Sequence, residues 1–257
     1  MNLNIIKSVN KVTTRSIKTI FLDYSFPIVM ILMVMVNLIA LWHYDIIYSE
    51  NEIGITNDSI YLTSFFASLL VMAYGGYLGN KFFAKDIESR RIHPFLLIPG
   101  GKKPLLFGKI LAGALVLVIL SMIYTVHMSI SLTYWGPISY LTIQRLLIYS
   151  VLMFLTAFLL YSVVTIVSVL SKKVMATVLF LLSYLVTAFF LIQFTESAER
   201  SFRAFVTVIG FPVLNVIYNN FYIDEYGALS SVFYFLPLLG IVVGLAASYL
   251  LFDRVKS

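Results

Sequence analysis

The stretch KFFAKDIESRRIHPFLLIPGGKKP, residues 81–104, separates the second and third long apolar runs of the chain. It carries six Lys and Arg residues, while its only acids are Asp86 and Glu88. Because basic loops stay on the cytoplasmic side of a membrane, this stretch is expected to face the cytoplasm. Apolar residues recur from Ile92 to Ile98, a pattern that predicts a surface built to contact another molecule.

The composition indicates an integral membrane protein. Of 257 residues, 60% are hydrophobic and 12% are charged, whereas a soluble domain has about a quarter of its residues charged. The chain has no cysteine, which excludes disulfides, thiolate metal ligands and cysteine nucleophiles. The net charge of +6 is concentrated in a few connections between apolar runs, so no nucleic-acid partner is predicted.

Six apolar segments are long enough to cross a bilayer, which requires roughly 20 residues of helix. Lipid cannot satisfy backbone polar groups, and the runs are too long for barrel strands, so each is predicted to be helical. We therefore predict an all-α fold with six transmembrane helices in a single domain, residues 25–257. The segments are 26–44, 60–78, 105–128, 146–170, 174–194 and 232–252.

The basic residues orient these segments. All but three of the 18 Lys and Arg residues lie at the N-terminus, in or beside the 81–104 loop, in the fourth–fifth connection or at the C-terminus. The exceptions are Arg145, Arg200 and Arg203, on the side that also holds most of the acids. This asymmetry predicts that both termini are cytoplasmic, and the expected location is the plasma membrane of a prokaryote, crossed several times.

Residues 1–24 form a separate amphipathic element. Apolar residues such as Val9 and Ile20 fall near one face of a helix, and lysines such as Lys7 and Lys11 fall on another. This pattern favours an interfacial helix in the headgroup layer over a plain charged leader. Ser25 is then the expected cap of the first span.

The connection at residues 195–231, on the outer side, contains an apolar run that Gly210 and Pro212 interrupt, so it cannot be one clean spanning helix. Broken helices at membrane depth are tolerated only when they are buried in protein or line a cavity. The run is interpreted either as two short re-entrant helices or as an amphipathic extracellular cap. The candidate outer-gate residues are Gly210, Pro212, Asn215 and Tyr218.

Catalytic motifs are missing from the sequence. It contains neither HExxH nor GxSxG, and each of its three histidines is interpreted as an interfacial or packed residue. The pair Gly108–Lys109 lacks the spacing of a phosphate loop, and Ile110 stands where Ser or Thr is required. We predict no catalytic residue, no metal site and no cofactor in this chain.

Small residues at four-residue spacing predict close helix packing. Gly75 and Gly79 lie at the inner end of the second span, and Gly240 and Gly244 lie in the sixth. Packing within one subunit is the simpler expectation, and a subunit interface is the alternative for the Gly75 pair.

The stretch FAKDIESRRIHPFLLIPGGKKPLLFGKILA, residues 83–112, resembles the signature of ABC-2-type ABC transporter permeases. The shared pattern is aromatic–Ala, two acids at alternate positions, an apolar helix, Pro99, a basic turn and a Gly-Lys pair before a span. The N-terminal helix, the short fourth–fifth loop and the re-entrant region are also similar to that family's. The residue-level match is confined to this stretch.

The resemblance implies a cytoplasmic coupling helix between spans 2 and 3 that docks onto a separate ATPase subunit, which binds ATP and Mg. This chain has Arg90-Arg91 where Gly-Thr is usual, and Pro94 interrupts the helix. A more acidic partner groove and a shorter or kinked coupling helix are therefore expected. The residues to which the resemblance assigns coupling are Asp86, Glu88, Arg90, Arg91, Phe95 and Pro99.

The implied function is that of a non-catalytic permease subunit of an ATP-driven exporter. Six spans are half of the family's usual twelve, so a homodimer or a heterodimer with a second permease chain is expected in the lipid bilayer. The 17 Tyr and 21 Phe favour a hydrophobic or amphipathic substrate such as a peptide, antibiotic or lipid. The alternative is a non-transport immunity or sensor protein that binds its target passively.

Overall fold

The computed structural model describes residues 3–48, 54–92, 101–133, 140–195 and 232–253. Every regular element in these ranges is a helix, so the predicted all-α class is confirmed for this part of the chain. The predicted re-entrant region, at residues 195–231, lies outside the described residues except for Thr195.

The apolar segments form long helices because an apolar environment leaves the backbone no partner other than itself. Each of the six predicted segments falls within a single helix. A five-residue π-helical segment, Asn80–Ala84, joins α3 to α4. The helices are α1 Leu3–Phe21, α2 Ser25–Tyr48, α3 Gly54–Gly79, α4 Lys85–Glu88, α5 Lys102–Thr133, α6 Tyr140–Ser171, α7 Val174–Thr195 and α8 Val232–Asp253.

Two helical stretches of the described chain, Lys102–Ser131 and Leu146–Ser171, are long and apolar enough to cross a membrane. The stretches Ile5–Phe21 and Ser25–Ile39 meet at a bend of 60° and would make a third span if counted as one. Shorter apolar helices occur in α7 and α8. The architecture therefore fits a membrane protein with two or three candidate spans.

Helix α6 is the centre of the bundle, since it packs against α3, α5, α7 and α8. Its Tyr161 is fully buried and donates a hydrogen bond of 3.0 Å to the backbone carbonyl of Lys109 in α5. Large buried side chains on α6 thus face the neighbouring helices, and its C-terminal end leads to Lys172 and Lys173.

The four predicted packing glycines face α6 of the same chain. A methyl group added at Gly75 would lie 2.7 Å from the carbonyl oxygen of Ala157, and one at Gly79 would lie 3.1 Å from that of Tyr161. In α8, Gly240 faces Leu159 and Gly244 faces Ser162. The close approach of α3 and α8 to α6 depends on these missing side chains.

Helix α1 is amphipathic, and its apolar stripe is covered by α5. Val9 and Ile20 are buried, whereas the lysines of the opposite face are exposed. At Gly108 an added methyl group would lie 2.6 Å from Cβ of Val12, and the Thr13 hydroxyl donates a 3.2 Å hydrogen bond to the Gly108 carbonyl. The glycine of the predicted Gly-Lys pair therefore makes room for α1.

We predict that Gly75→Ala destabilises the protein by about 1–3 kcal/mol, because its new methyl group would meet a backbone oxygen that cannot move alone. Gly76→Ala is a matched control in the next position. Its methyl group would meet only the end of the Leu181 side chain, which can rotate away, and alanine favours the helix. In thermal unfolding in mild detergent, the midpoint temperature of Gly75→Ala should fall below that of the wild type, whereas that of Gly76→Ala should not. Equal midpoint temperatures for the two variants would contradict the packing argument.

Candidate functional site

The segment at residues 80–92, which we term the junction segment, continues the helical backbone of α3 into the stretch predicted as a loop. The π-helical turn leads into α4, and Arg90 then adopts a left-handed conformation with φ of 57°. The Ile92 N–H donates to the Asp86 carbonyl at 3.3 Å, and the Ile92 side chain is buried. The helix can extend beyond the predicted boundary because its charged side chains find partners on neighbouring helices.

Asp86 joins the junction segment to α5. Its Oδ2 lies 2.6 Å from Nζ of Lys109, whose side chain is only 6% exposed. The same ammonium donates a 2.5 Å hydrogen bond to the Phe82 carbonyl and lies 5.5 Å from the centre of the Phe83 ring. A lysine in an apolar helix thus has a carboxylate, a carbonyl and an aromatic face as partners, which offsets the cost of removing it from water.

Glu88 joins the junction segment to α7. Its Oε2 accepts a 3.0 Å hydrogen bond from the backbone N–H of Val174, the first residue of that helix. A carboxylate at this position accepts from a backbone N–H that has no partner within the helix, and its negative charge interacts favourably with the positive end of the helix dipole. The preceding helix, α6, ends at Ser171, and the next residue, Lys172, is left-handed with φ of 56° and donates its N–H to the Ser168 carbonyl at 3.0 Å.

Lys81 joins the junction segment to the bend between α1 and α2. Its ammonium forms an ion pair with Asp23 and lies 5.5 Å from the centre of the Tyr77 ring. The other Asp23 oxygen accepts a 3.0 Å hydrogen bond from the Ser25 N–H, so Asp23 rather than the predicted Ser25 supplies the acceptor that opens α2. Chiefly the hydrogen bond from Lys81 lowers the pKa of Asp23 to about 2.

The junction segment is therefore held to helices on three sides. Carboxylate contacts connect it to α5, to α7 and to the α1–α2 bend. Its remaining surface is basic and exposed, formed by Lys85, Arg90 and Arg91. None of these three has a side-chain partner among the residues that the structure describes. Such an arrangement can pass a displacement of the exposed face to several helices at once.

The predicted coupling residues fall into three groups. Asp86 and Glu88 contact other parts of the same chain, whereas Arg90 and Arg91 are exposed. Phe95 and Pro99 lie outside the described residues, as do all four candidate outer-gate residues, so these assignments stay predictions. The apolar helix expected after Ile92 also lies in the undescribed range 93–100.

The sequence pattern around the acids does not identify their partners. In the sequence, Lys109 is one of the basic residues that set the topology, and Lys81 and Asp23 are too far apart to be recognised as a pair. A signal was present, because a lysine inside an apolar helix requires a nearby opposite charge. Asp86 is among the few acids on the same predicted side of the membrane.

Among the described residues, no group of three or more His, Cys, Asp or Glu side chains is placed to hold a metal ion. His127 places its Nδ1 3.2 Å from Nδ2 of Asn37, a contact between α5 and α2. This is the environment of a packed histidine.

No protein-family model matches the chain, and no curated protein matches it.

We predict that Asp86→Asn destabilises the protein by about 2–3 kcal/mol, since it leaves the Lys109 ammonium without a counter-charge in a site largely removed from water. The double variant Asp86→Asn/Lys109→Met should be more stable than Asp86→Asn alone, because methionine removes the unpaired charge and fills the space. Thermal unfolding in mild detergent measures both, with Lys85→Gln as an exposed control. A double variant less stable than Asp86→Asn would contradict the pairing.

The Asp23–Lys81 pair should give the protein an acid-sensitive contribution to stability. The folded-state pKa of Asp23, about 2, lies below its usual 3.8. The contribution is therefore complete above about pH 4.5 and is lost as the pH falls through 3.8 toward 2. Wild type should exceed Asp23→Asn in unfolding temperature by a constant margin from pH 7 to about pH 4.5, and the margin should shrink below that. A margin already gone at pH 5 would show that the ion pair is not its source.

Proposed function

We propose that the chain is the transmembrane permease subunit of an ATP-driven exporter of the ABC-2 type. In this proposal it hydrolyses nothing itself, and a separate ATPase subunit binds ATP and Mg. The observation that carries the proposal is the junction segment, which exposes a basic face while its other sides are bonded to α5, α7 and the α1–α2 bend. The resemblance of residues 83–112 to permeases of that type points the same way.

In the proposed coupling, one set of residues contacts the ATPase and another transmits its movement to the permease helices. Arg90 and Arg91 contact an acidic groove of the ATPase, because they are exposed and have no side-chain partner in the described part of the chain. Asp86 and Glu88 transmit the movement, because each already binds another helix of the permease. Nucleotide-driven displacement of the exposed face would then tilt α5 and α7 together.

The proposed assembly has six transmembrane helices per chain and both termini in the cytoplasm. Helix α1 lies in the headgroup layer, with its lysines toward the lipid headgroups and its apolar stripe on α5. A second permease chain, identical or different, completes the translocation path in the plasma membrane. The expected substrate is a hydrophobic or amphipathic molecule such as a peptide, antibiotic or lipid.

The test is purification of the tagged full-length chain from its native membrane, followed by measurement of co-eluting ATPase. Arg90→Glu/Arg91→Glu should abolish co-elution, because two exposed cations at the docking face are reversed. Lys7→Glu/Lys11→Glu is the matched control, with the same change in net charge on exposed residues of α1. Asp86→Asn should retain the ATPase while lowering ATP turnover in the reconstituted complex.

Two results would overturn the proposal. If the arginine variant binds the ATPase as well as the lysine control does, the docking face is elsewhere. If the wild-type chain purifies without any ATPase even after cross-linking in the membrane, it acts as a passive immunity or sensor protein instead.

A further inference from the structure

A cleft of about 610 Å³ opens between the junction segment and α7. Its volume is within the range of small-molecule sites, roughly 300–1,000 Å³. One wall is the end of α3 with the π-helical turn and α4, and the other wall is the first turns of α7. π-Helical turns are frequent at functional sites, which draws attention to the residues of this wall.

The polarity of the cleft changes along the helix axes. Lys85, Glu88 and Ser89 line the end nearest α4, where the basic residues of the chain collect. Tyr77 and Val178 line the part that lies further along α3 and α7, among their apolar residues. A ligand that fits both ends has a charged head and an apolar body.

Two groups of opposite charge line the same wall of the cleft. Lys85 is exposed, and its ammonium makes no hydrogen bond or ion pair among the described residues. Glu88 is also exposed, and of its two carboxylate oxygens only Oε2 accepts a hydrogen bond from a described residue. A headgroup that carries one negative and one positive group would find a charged partner for each.

We propose that this cleft binds the headgroup of a membrane phospholipid whose phosphate lies at Lys85 and whose amino group lies at Glu88. Phosphatidylethanolamine has this chemistry, because its ammonium donates hydrogen bonds that the methylated amine of phosphatidylcholine cannot donate. The acyl chains then run along Tyr77 and Val178. Basic pockets between helices at the cytoplasmic surface are typical binding sites for lipid headgroups.

The experiment is native mass spectrometry of the full-length chain from mixed micelles with equal amounts of phosphatidylethanolamine and phosphatidylcholine. Wild type should retain one phosphatidylethanolamine in preference to phosphatidylcholine. Lys85→Gln should lower the bound fraction about tenfold, as expected for loss of one charge-assisted hydrogen bond. Lys103→Gln, which removes an exposed charge at the start of α5 outside the cleft, should leave it unchanged. Glu88→Gln should retain lipid but weaken the preference for phosphatidylethanolamine, because it neutralises the carboxylate that accepts from the ammonium.

Equal retention by Lys85→Gln and Lys103→Gln would overturn the proposal, and this comparison decides it even where Glu88→Gln fails to fold. A second arm titrates inorganic phosphate into the lipid-depleted chain. Lys85-dependent phosphate binding that displaces lipid would identify a free-phosphate site and also overturn the proposal. Neither arm measures an ATPase, so the result is independent of the proposed function.

Discussion

The ion pair between Asp86 and Lys109 is the constraint on which the cytoplasmic end of the structure depends. Lys109 lies within a helix long and apolar enough to cross a membrane, and its side chain is almost completely buried. A charge in that position is tolerated only beside an opposite charge and further polar groups. The junction segment supplies both, through Asp86 and the Phe82 carbonyl. Its backbone must therefore remain helical after α3 and lie against α5.

The helical class and the positions of the long helices could be predicted from the sequence, because uninterrupted apolar runs have few structural solutions. The start of the connection after α3 could not. Lys81 and Lys85 suggested that the chain leaves the membrane as a loop at Lys81, whereas the helix continues to Glu88. Apolarity reports where a helix can be buried, but a helix ends where its backbone bonds and side-chain partners end, and those partners are distant in sequence.

At the candidate site, too, the sequence identified residues from their local pattern but not the partners that lie far away in the chain. The two alternating acids were recognised as significant from their place in a basic stretch, and they do make specific contacts. Their partners, Lys109 and the Val174 N–H, belong to other helices, so the pattern around the acids carried no information about them. Gly108 was noted only as half of a Gly-Lys pair, because its packing against α1 is visible only once the two helices are brought together.

The π-helical turn has a consequence for the length of the chain in this region. Successive residues of an α-helix are about 100° apart, so Asp86 and Glu88 point roughly 200° apart, one toward α5 and the other toward α7. A single-residue insertion or deletion between Asn80 and Asp86 would rotate both carboxylates together by about 100° and separate each from its partner. The π-helical turn thus fixes the rotation of α4 about its axis relative to α3. A homologue that lacked this turn would need compensating changes in two other helices.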